Sequence, residues 1–224
     1  MIVKNLKKMY GEKNVLNIDE FSFEPGKIYA IIGANGSGKS TFLKVIAGTL
    51  KPSEKPEVIL ENKTLAYMPQ KNYAFKTTVL KNVMLTAKNK AEDLNLAKEY
   101  LSEMKIDHLM DQNASKLSGG ETARMALCRI FLSGSDIILL DEPTAAMDIE
   151  STLLSEALIK KYKEKTNATI IMVTHSVNQA RRLADEVIFM KDGKILESGS
   201  SEEILNSPTK PETKEFLEFF SSEI

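Results

Sequence analysis

A chain of 224 residues with a net charge of −1, 27% charged and 42% hydrophobic residues has the balance of an ordinary globular domain. Near-neutral charge excludes wholesale attraction to nucleic acid, so no nucleic-acid partner is expected. The single cysteine, Cys128, excludes an internal disulfide framework and points to a reducing cytoplasm; on a helix it reads as a small apolar core residue.

The N-terminal run Met1-Ile-Val-Lys-Asn-Leu-Lys-Lys lacks the apolar stretch of a secretory signal. The first clear strand is Lys27–Ile32. It leads into Gly33-Ala34-Asn35-Gly36-Ser37-Gly38-Lys39-Ser40, and an apolar-periodic helix follows from Thr41 to Ala47. Strand, G-x-x-x-x-G-K-[ST] and helix together form the context of a phosphate-binding loop. Its glycines let backbone N–H groups turn around a polyphosphate, and the helix start adds its positive dipole end. Lys39 is placed to reach the β- and γ-phosphates, and the Ser40 hydroxyl to ligate Mg²⁺.

Further along, Glu57–Asn62 and Thr64–Met68 read as a small hairpin turning at Asn62-Lys63. From about Val79 to Ile106 the pattern is helical, with Leu94, Ala97, Leu101 and Met104 on one face. Ser118-x-x-Glu121 is a capping box, so a helix is expected to begin at Gly119. Its exposed N–H groups make a second anion site.

The run Asp136-Ile-Ile-Leu-Leu-Asp141-Glu142-Pro143 is an apolar strand ending in two carboxylates. Strand C-termini of a parallel sheet open onto the ligand crevice. There Asp141 is placed to hold Mg²⁺, and Glu142 to orient or deprotonate a water attacking the γ-phosphate. Thr169–Val173 is a third buried strand, His175 stands just past its crevice end, and Ser176-x-x-Gln179 caps the next helix. A second hairpin, Val187–Met190 with Lys194–Glu197, turns at Asp192-Gly193. Pro208 and Pro211 mark a loop before a last amphipathic helix, Thr213–Phe220. The apolar runs are all too short to cross a bilayer, so any membrane role is expected through a partner.

Leu117-Ser118-Gly119-Gly120-Glu121 resembles the signature motif of ATP-binding-cassette ATPases, the nucleotide-binding subunits of ABC transporters, with Glu121 where glutamine is usual. Arg124, Ala126, Leu127 and Arg129 fall where that family's signature helix carries them. Tyr10 resembles the adenine-stacking aromatic, Gln70 the Q-loop glutamine, Ala145-Ala146-Met147-Asp148 the D-loop, and His175 the switch histidine. Ala145 and Met147 depart from the usual Ser and Leu. The resemblance covers nearly the whole chain.

It implies an α/β fold of P-loop NTPase (RecA-like) type. A mainly parallel sheet core is joined by a small antiparallel β-subdomain and a helical subdomain carrying the signature. Residues 1–69 and 134–224 would form the core with the β-subdomain, and 70–133 the helical insertion. The implied cofactors are ATP and Mg²⁺. ATP would lie on Tyr10 and Gly33 to Thr41, including Ala34, Asn35, Gly36, Ser37 and Gly38; Ser40, Gln70 and Asp141 would attend the metal. Glu142, His175, Gln70 and Lys39 would serve catalysis. Ser118, Gly119, Gly120 and Asp148 would face the ATP of a second copy, since two cassettes of this family pair head to tail.

The tail, Glu203–Pro208 and Thr213–Leu217, is similar to the end of bacterial importer ATPases. The short stretch between Lys39 and Gln70 makes the β-subdomain look trimmed, as in tungstate- or phosphate-type uptake systems. The expected role is to drive import of a small solute, an oxyanion or an amino acid, at the cytoplasmic face of the membrane. The expected partners are a second ATPase subunit, integral permease subunits and an extracytoplasmic solute-binding protein. Lys71–Thr78, with Tyr73 and Phe75, is the candidate docking segment. The alternative is an exporter ATPase or a non-transport ATP-driven switch. Glu121 is expected to turn back and cap its own helix.

Overall fold

The computed structural model describes residues 1–221. In chain order the elements are β1 (Ile2–Tyr10), β2 (Lys13–Ser22), β3 (Ile28–Ile32), α1 (Lys39–Ile46), β4 (Glu57–Ile59), β5 (Leu65–Met68), α2 (Val79–Val83), α3 (Lys90–Glu103) and α4 (Gly119–Leu132). There follow β6 (Ile137–Asp141), α5 (Ile149–Thr166), β7 (Thr169–Val173), α6 (Val177–Leu183), β8 (Glu186–Lys191), β9 (Lys194–Ser200), α7 (Ser201–Asn206) and α8 (Pro211–Ser221).

Two sheets organise them. The larger has the order β5-β6-β7-β3-β8-β9, with the first five strands parallel and β9 antiparallel to β8. Every residue of β3, β6 and β7 is buried, which is why these strands read as unbroken apolar runs rather than as alternation. One core, with Leu101, Met125 and Tyr162, covers one side of this sheet beneath α3, α4 and α5. A second, with Leu6, Phe42 and Leu43, lies between it and the smaller antiparallel sheet β2-β1-β4. Cys128 is fully buried in the first core, where desolvation pushes its thiol pKa up.

The expected hairpin at Asn62-Lys63 does not form. Its turn is present: Glu61 and Asn62 have φ of 52° and 64°, and the Lys63 N–H donates to the Leu60 carbonyl. The flanks diverge instead of pairing. β4 joins β1 antiparallel, whereas β5 becomes the edge of the large sheet, parallel to β6. A local turn signal fixes the chain reversal but not the partners, and burial of β5 beside β6 decides those. The hairpin at Asp192-Gly193 does form, as β8–β9. The last helix starts two residues earlier than expected, with Pro211 in its first turn.

β1 and β2 have no counterpart in the reading of the sequence above. In β1 the buried positions are Val3 and Leu6, three residues apart, so period-2 alternation fails. The cause is Asn5, at φ 52°, which drops out of the pairing between Lys4–Glu20 and Leu6–Ile18.

Candidate functional site

The C-terminal ends of β3, β6 and β7 open on one side of the large sheet. A cavity of 830 Å³ lies there, against Gly36–Thr41, Glu142 and His175. β3 ends in the glycine-rich loop, which is pinned from behind. The Gly193 N–H donates to the Ser37 carbonyl, and the Asn17 N–H donates to the Gly193 carbonyl. Close packing makes two glycines necessary. At Gly33 (φ 144°) a Cβ would stand 2.2 Å from the Met190 carbonyl oxygen, and at Gly38 (φ 103°) 2.7 Å from that of Val15.

Lys39, at the start of α1, is buried and donates from Nζ to the Gly33 and Ala34 carbonyls, at 2.7 and 2.9 Å. Desolvation lowers its pKa, and the nearby Glu142 and Asp141 charges oppose that. Ser37 is buried as well, and its Oγ has no hydrogen-bond partner among the described residues. A buried hydroxyl without a partner, next to a sequestered ammonium, fits an incoming anion. α1 has no side-chain cap, so its first N–H groups also face the cavity unpaired by a cap.

Asp141 ends β6 fully buried. Its Oδ1 accepts from Ser40 Oγ at 2.7 Å and its Oδ2 from the Tyr67 hydroxyl at 3.2 Å. Burial raises its pKa, while those two hydrogen bonds act the other way. The oxygen-only donor set of Ser40 and Asp141 suits Mg²⁺ chemically. Glu142 follows at φ 51°, a left-handed conformation that costs a non-glycine residue on the order of 1–3 kcal/mol. Its N–H donates to the Val173 carbonyl, which holds the strained turn against β7. Both of its carboxylate oxygens are engaged: Gln70 Nε2 donates to Oε2 at 2.9 Å, and His175 Nε2 lies 2.7 Å from Oε1.

Beneath this pair runs a network that the sequence alone did not reveal. Gln179 on α6 is buried, accepts from Thr174 Oγ1, and donates to Thr144 Oγ1 and Glu156 Oε1. Arg182 closes it with two hydrogen bonds to Glu156. Thr144 follows Glu142 by two residues and Thr174 precedes His175, so the network ties the two loops together. Asn82 does similar work for the segment after Gln70: fully buried, it bonds the Phe75 N–H and carbonyl and the Thr77 and Thr78 carbonyls. Tyr67 was read above only as part of the Thr64–Met68 strand. Its reach to Asp141 depends on the β5–β6 register, which no local pattern discloses.

The structure thus gathers Lys39, Ser40, Gln70, Asp141, Glu142 and His175. The loop residues Ala34, Asn35, Gly36, Ser37, Gly38 and Thr41 line the same cavity, whereas Tyr10 and the residues expected to face a second copy do not. Tyr10 is exposed at the end of β1 with the Lys8 ammonium 4.8 Å from its ring centroid, and the cavity wall on the β2 side is Lys13, Asn14 and Val15 instead. Ser118, Gly119, Gly120 and Asp148 do not line the cavity. Ser118 and Gly119 are exposed on the surface at the start of α4, and Asp148 accepts from the Ser151 N–H as the cap of α5. Glu121 turns back as expected: its Oε2 accepts from the Ser118 N–H while Ser118 Oγ accepts from the Glu121 N–H. Those bonds from Ser118 lower its pKa below the ordinary 4.5.

The model of the ABC transporter family matches residues 16–145, more than half of the chain. The tungstate uptake system ATP-binding protein TupC of Peptoclostridium acidaminophilum is 38% identical, covering 88% of this chain and 96% of its own. The L-cystine import ATP-binding protein TcyN of Bacillus subtilis is 34% identical over 99% of this chain and 93% of its own. Among solved structures, a dimeric ATP-binding cassette in a post-hydrolysis state bound to ADP and Pi matches with a TM-score of 0.78 at 28% identity, covering 90% of this chain and 99% of its own. No described helix is long and apolar enough to cross a membrane. With cavity, loop and carboxylates arranged on the sheet of such cassettes, the chain belongs to the ABC transporter family, as an ATP-binding cassette that hydrolyses ATP.

Proposed function

We propose that this cassette drives import of a small solute through separate membrane subunits, using MgATP bound between two copies paired head to tail. The observation that carries the reading is the convergence of Lys39, Ser40, Glu142 and His175 on one cavity, with Asp141 bonded to Ser40 and Gln70 to Glu142. Loop N–H groups and Lys39 would cradle the phosphates, and Ser40, Asp141 and Gln70 would hold the metal. When bound, Mg²⁺ neutralises charge on the phosphate oxygens. Glu142 takes the proton of the attacking water. Gln70 and His175, now on its two oxygens, aim that carboxylate.

The import direction and the solute class rest on the relatives. The named proteins serve tungstate and cystine, so an oxyanion or an amino acid is the reading here, with the greater identity favouring the oxyanion. A solute-binding protein outside the membrane and a place at its cytoplasmic face follow from that role. Tyr10 would stack on the base. Residues 70–133 would form the arm that meets the permease. The groove for it lies after Gln70, 360 Å³ in volume, with Tyr73 and Phe75 more than half exposed at its rim.

The test is direct. The tagged chain is purified from its host membrane in mild detergent, and its ATPase rate and companions are measured. MgATP hydrolysis together with co-purifying multi-span proteins is the expected outcome; hydrolysis with only soluble companions would sink the transport reading.

A further inference from the structure

We propose that Tyr67 is a positioning residue that joins the groove to the metal-holding carboxylate. Its hydroxyl bonds Asp141 Oδ2 at 3.2 Å, and the same residue is among those lining the groove with Pro69, Tyr73 and Phe75. The proposal rests on the reading that Asp141 attends the Mg²⁺ of MgATP.

Register explains how the side chain reaches Asp141 from a strand that also borders the groove. β5 runs parallel to β6, with Tyr67 opposite Leu139. Strand side chains alternate, so Leu139 and Asp141 share a face, and Tyr67 lies on that same face of the sheet. Asp141 is fully buried, and each of its oxygens has one protein donor, Ser40 on Oδ1 and Tyr67 on Oδ2. The Ser40 hydroxyl stands in the phosphate loop, where an oxygen lone pair would hold the metal of bound MgATP while its hydrogen stays on Asp141 Oδ1. Tyr67, the donor on the other oxygen, would fix the plane of that carboxylate and its aim at the metal. Outer partners of this kind orient metal-attending carboxylates and commonly change metal affinity about 10–100-fold when removed.

Three residues further on, Gln70 Nε2 donates to Glu142 Oε2. The end of β5 therefore touches both carboxylates of the site, one through Tyr67 and one through Gln70. The next residues carry the groove: Arg129 donates twice to the Tyr73 carbonyl and lies 5.7 Å from the Phe75 ring centroid. A segment pressed into the groove would bear on Tyr67 itself and, through this one strand end, on the aim of Asp141.

Tyr67→Phe keeps the ring and removes only the donor. The thermal shift of the whole chain is measured with ATP in EDTA, and again with ATP and increasing Mg²⁺. The variant is expected to match the wild type in EDTA and to need about 10-fold more Mg²⁺ for half of the further stabilisation. Equal Mg²⁺ midpoints overturn the proposal. Loss of the ATP shift in EDTA also overturns it, because Tyr67 would then support the site in general rather than Asp141. If the wild type gains nothing from Mg²⁺, the reading of Asp141 beneath the proposal fails instead.

Discussion

Two helices in this molecule present N-termini fit for an anion, and they are finished in opposite ways. α1 begins at Lys39 without a side-chain cap, inside a cavity, with Ser37, Gly38 and Lys39 buried around it. α4 begins at Gly119 with a complete capping box of its own, at the surface, away from that cavity. A helix leaves its first N–H groups unpaired unless something caps them. At α1 that something is missing from the chain, so the ligand must be the cap. At α4 the chain caps itself and can stand in water until a ligand is brought to it. On the proposed head-to-tail pairing, one site is built for residence and the other for encounter with a nucleotide shared between two copies.

The comparison can be broken at several points. The largest effect is expected from Glu142→Gln, which removes the proton acceptor while keeping shape. Phosphate release should fall by about 10²–10⁴-fold, with ATP-driven pairing on gel filtration intact. Normal turnover would take Glu142 out of the chemistry. Lys39→Ala attacks the resident site itself. Losing charge-assisted hydrogen bonds to phosphate should weaken ATP binding about 100-fold by calorimetry, and an unchanged affinity would mean the loop does not cradle phosphate as described.

Gly119→Asp separates the two helix ends. A Cβ at Gly119 would meet only Ala146 Cβ, at 3.8 Å, so the monomer tolerates the change. A carboxylate at the start of α4 suits that helix's own dipole, and the melting temperature should hold or rise slightly. Facing a partner's triphosphate the same charge repels, and ATP-driven association should drop at least about 10-fold. Intact pairing of this variant in light scattering would place the signature away from the partner's nucleotide.

Glu121→Gln should be the smallest change, under about threefold in turnover of the assembled transporter, because the side chain points back to Ser118. A several-fold rise would show that the carboxylate does reach the ligand. Its pH signature has a definite sign. The Ser118 bonds depress the Glu121 pKa in the folded state, so their stabilising contribution is present above the ordinary 4.5 and is lost as pH falls through the depressed value. In acid melts the wild type should therefore lose stability below about pH 4.5 more steeply than Glu121→Gln.

What was legible in the sequence was what is local. The phosphate loop, the two carboxylates after β6 and the Ser118–Glu121 box each lie within a few residues, and their geometry follows from backbone chemistry there. Turns were legible too, at Asp192-Gly193 and, one residue early of the expected Asn62-Lys63, at Glu61-Asn62, where the flanks went elsewhere. What escaped was whatever depends on neighbours far along the chain. Tyr67 meets Asp141 only through strand register, and the Gln179–Glu156–Arg182 network joins α6 to α5. β1 was hidden by a defect of one residue, Asn5. Tyr10 was legible only as a motif position: its ring is exposed at the end of β1 beside the Lys8 ammonium, open to a base brought by the ligand.

The buried sulfur of Cys128 has a practical corollary. It is the only cysteine of the chain, it is wholly enclosed, and its thiolate is disfavoured. Reagents that need a thiolate will pass it by. The native protein is thus already a blank for site-directed labelling, with no background thiol to remove. Ser115→Cys, on the exposed approach to α4, would place a single spin or dye label per copy. The distance between two such labels would then report, molecule by molecule, when a pair closes and when it lets go.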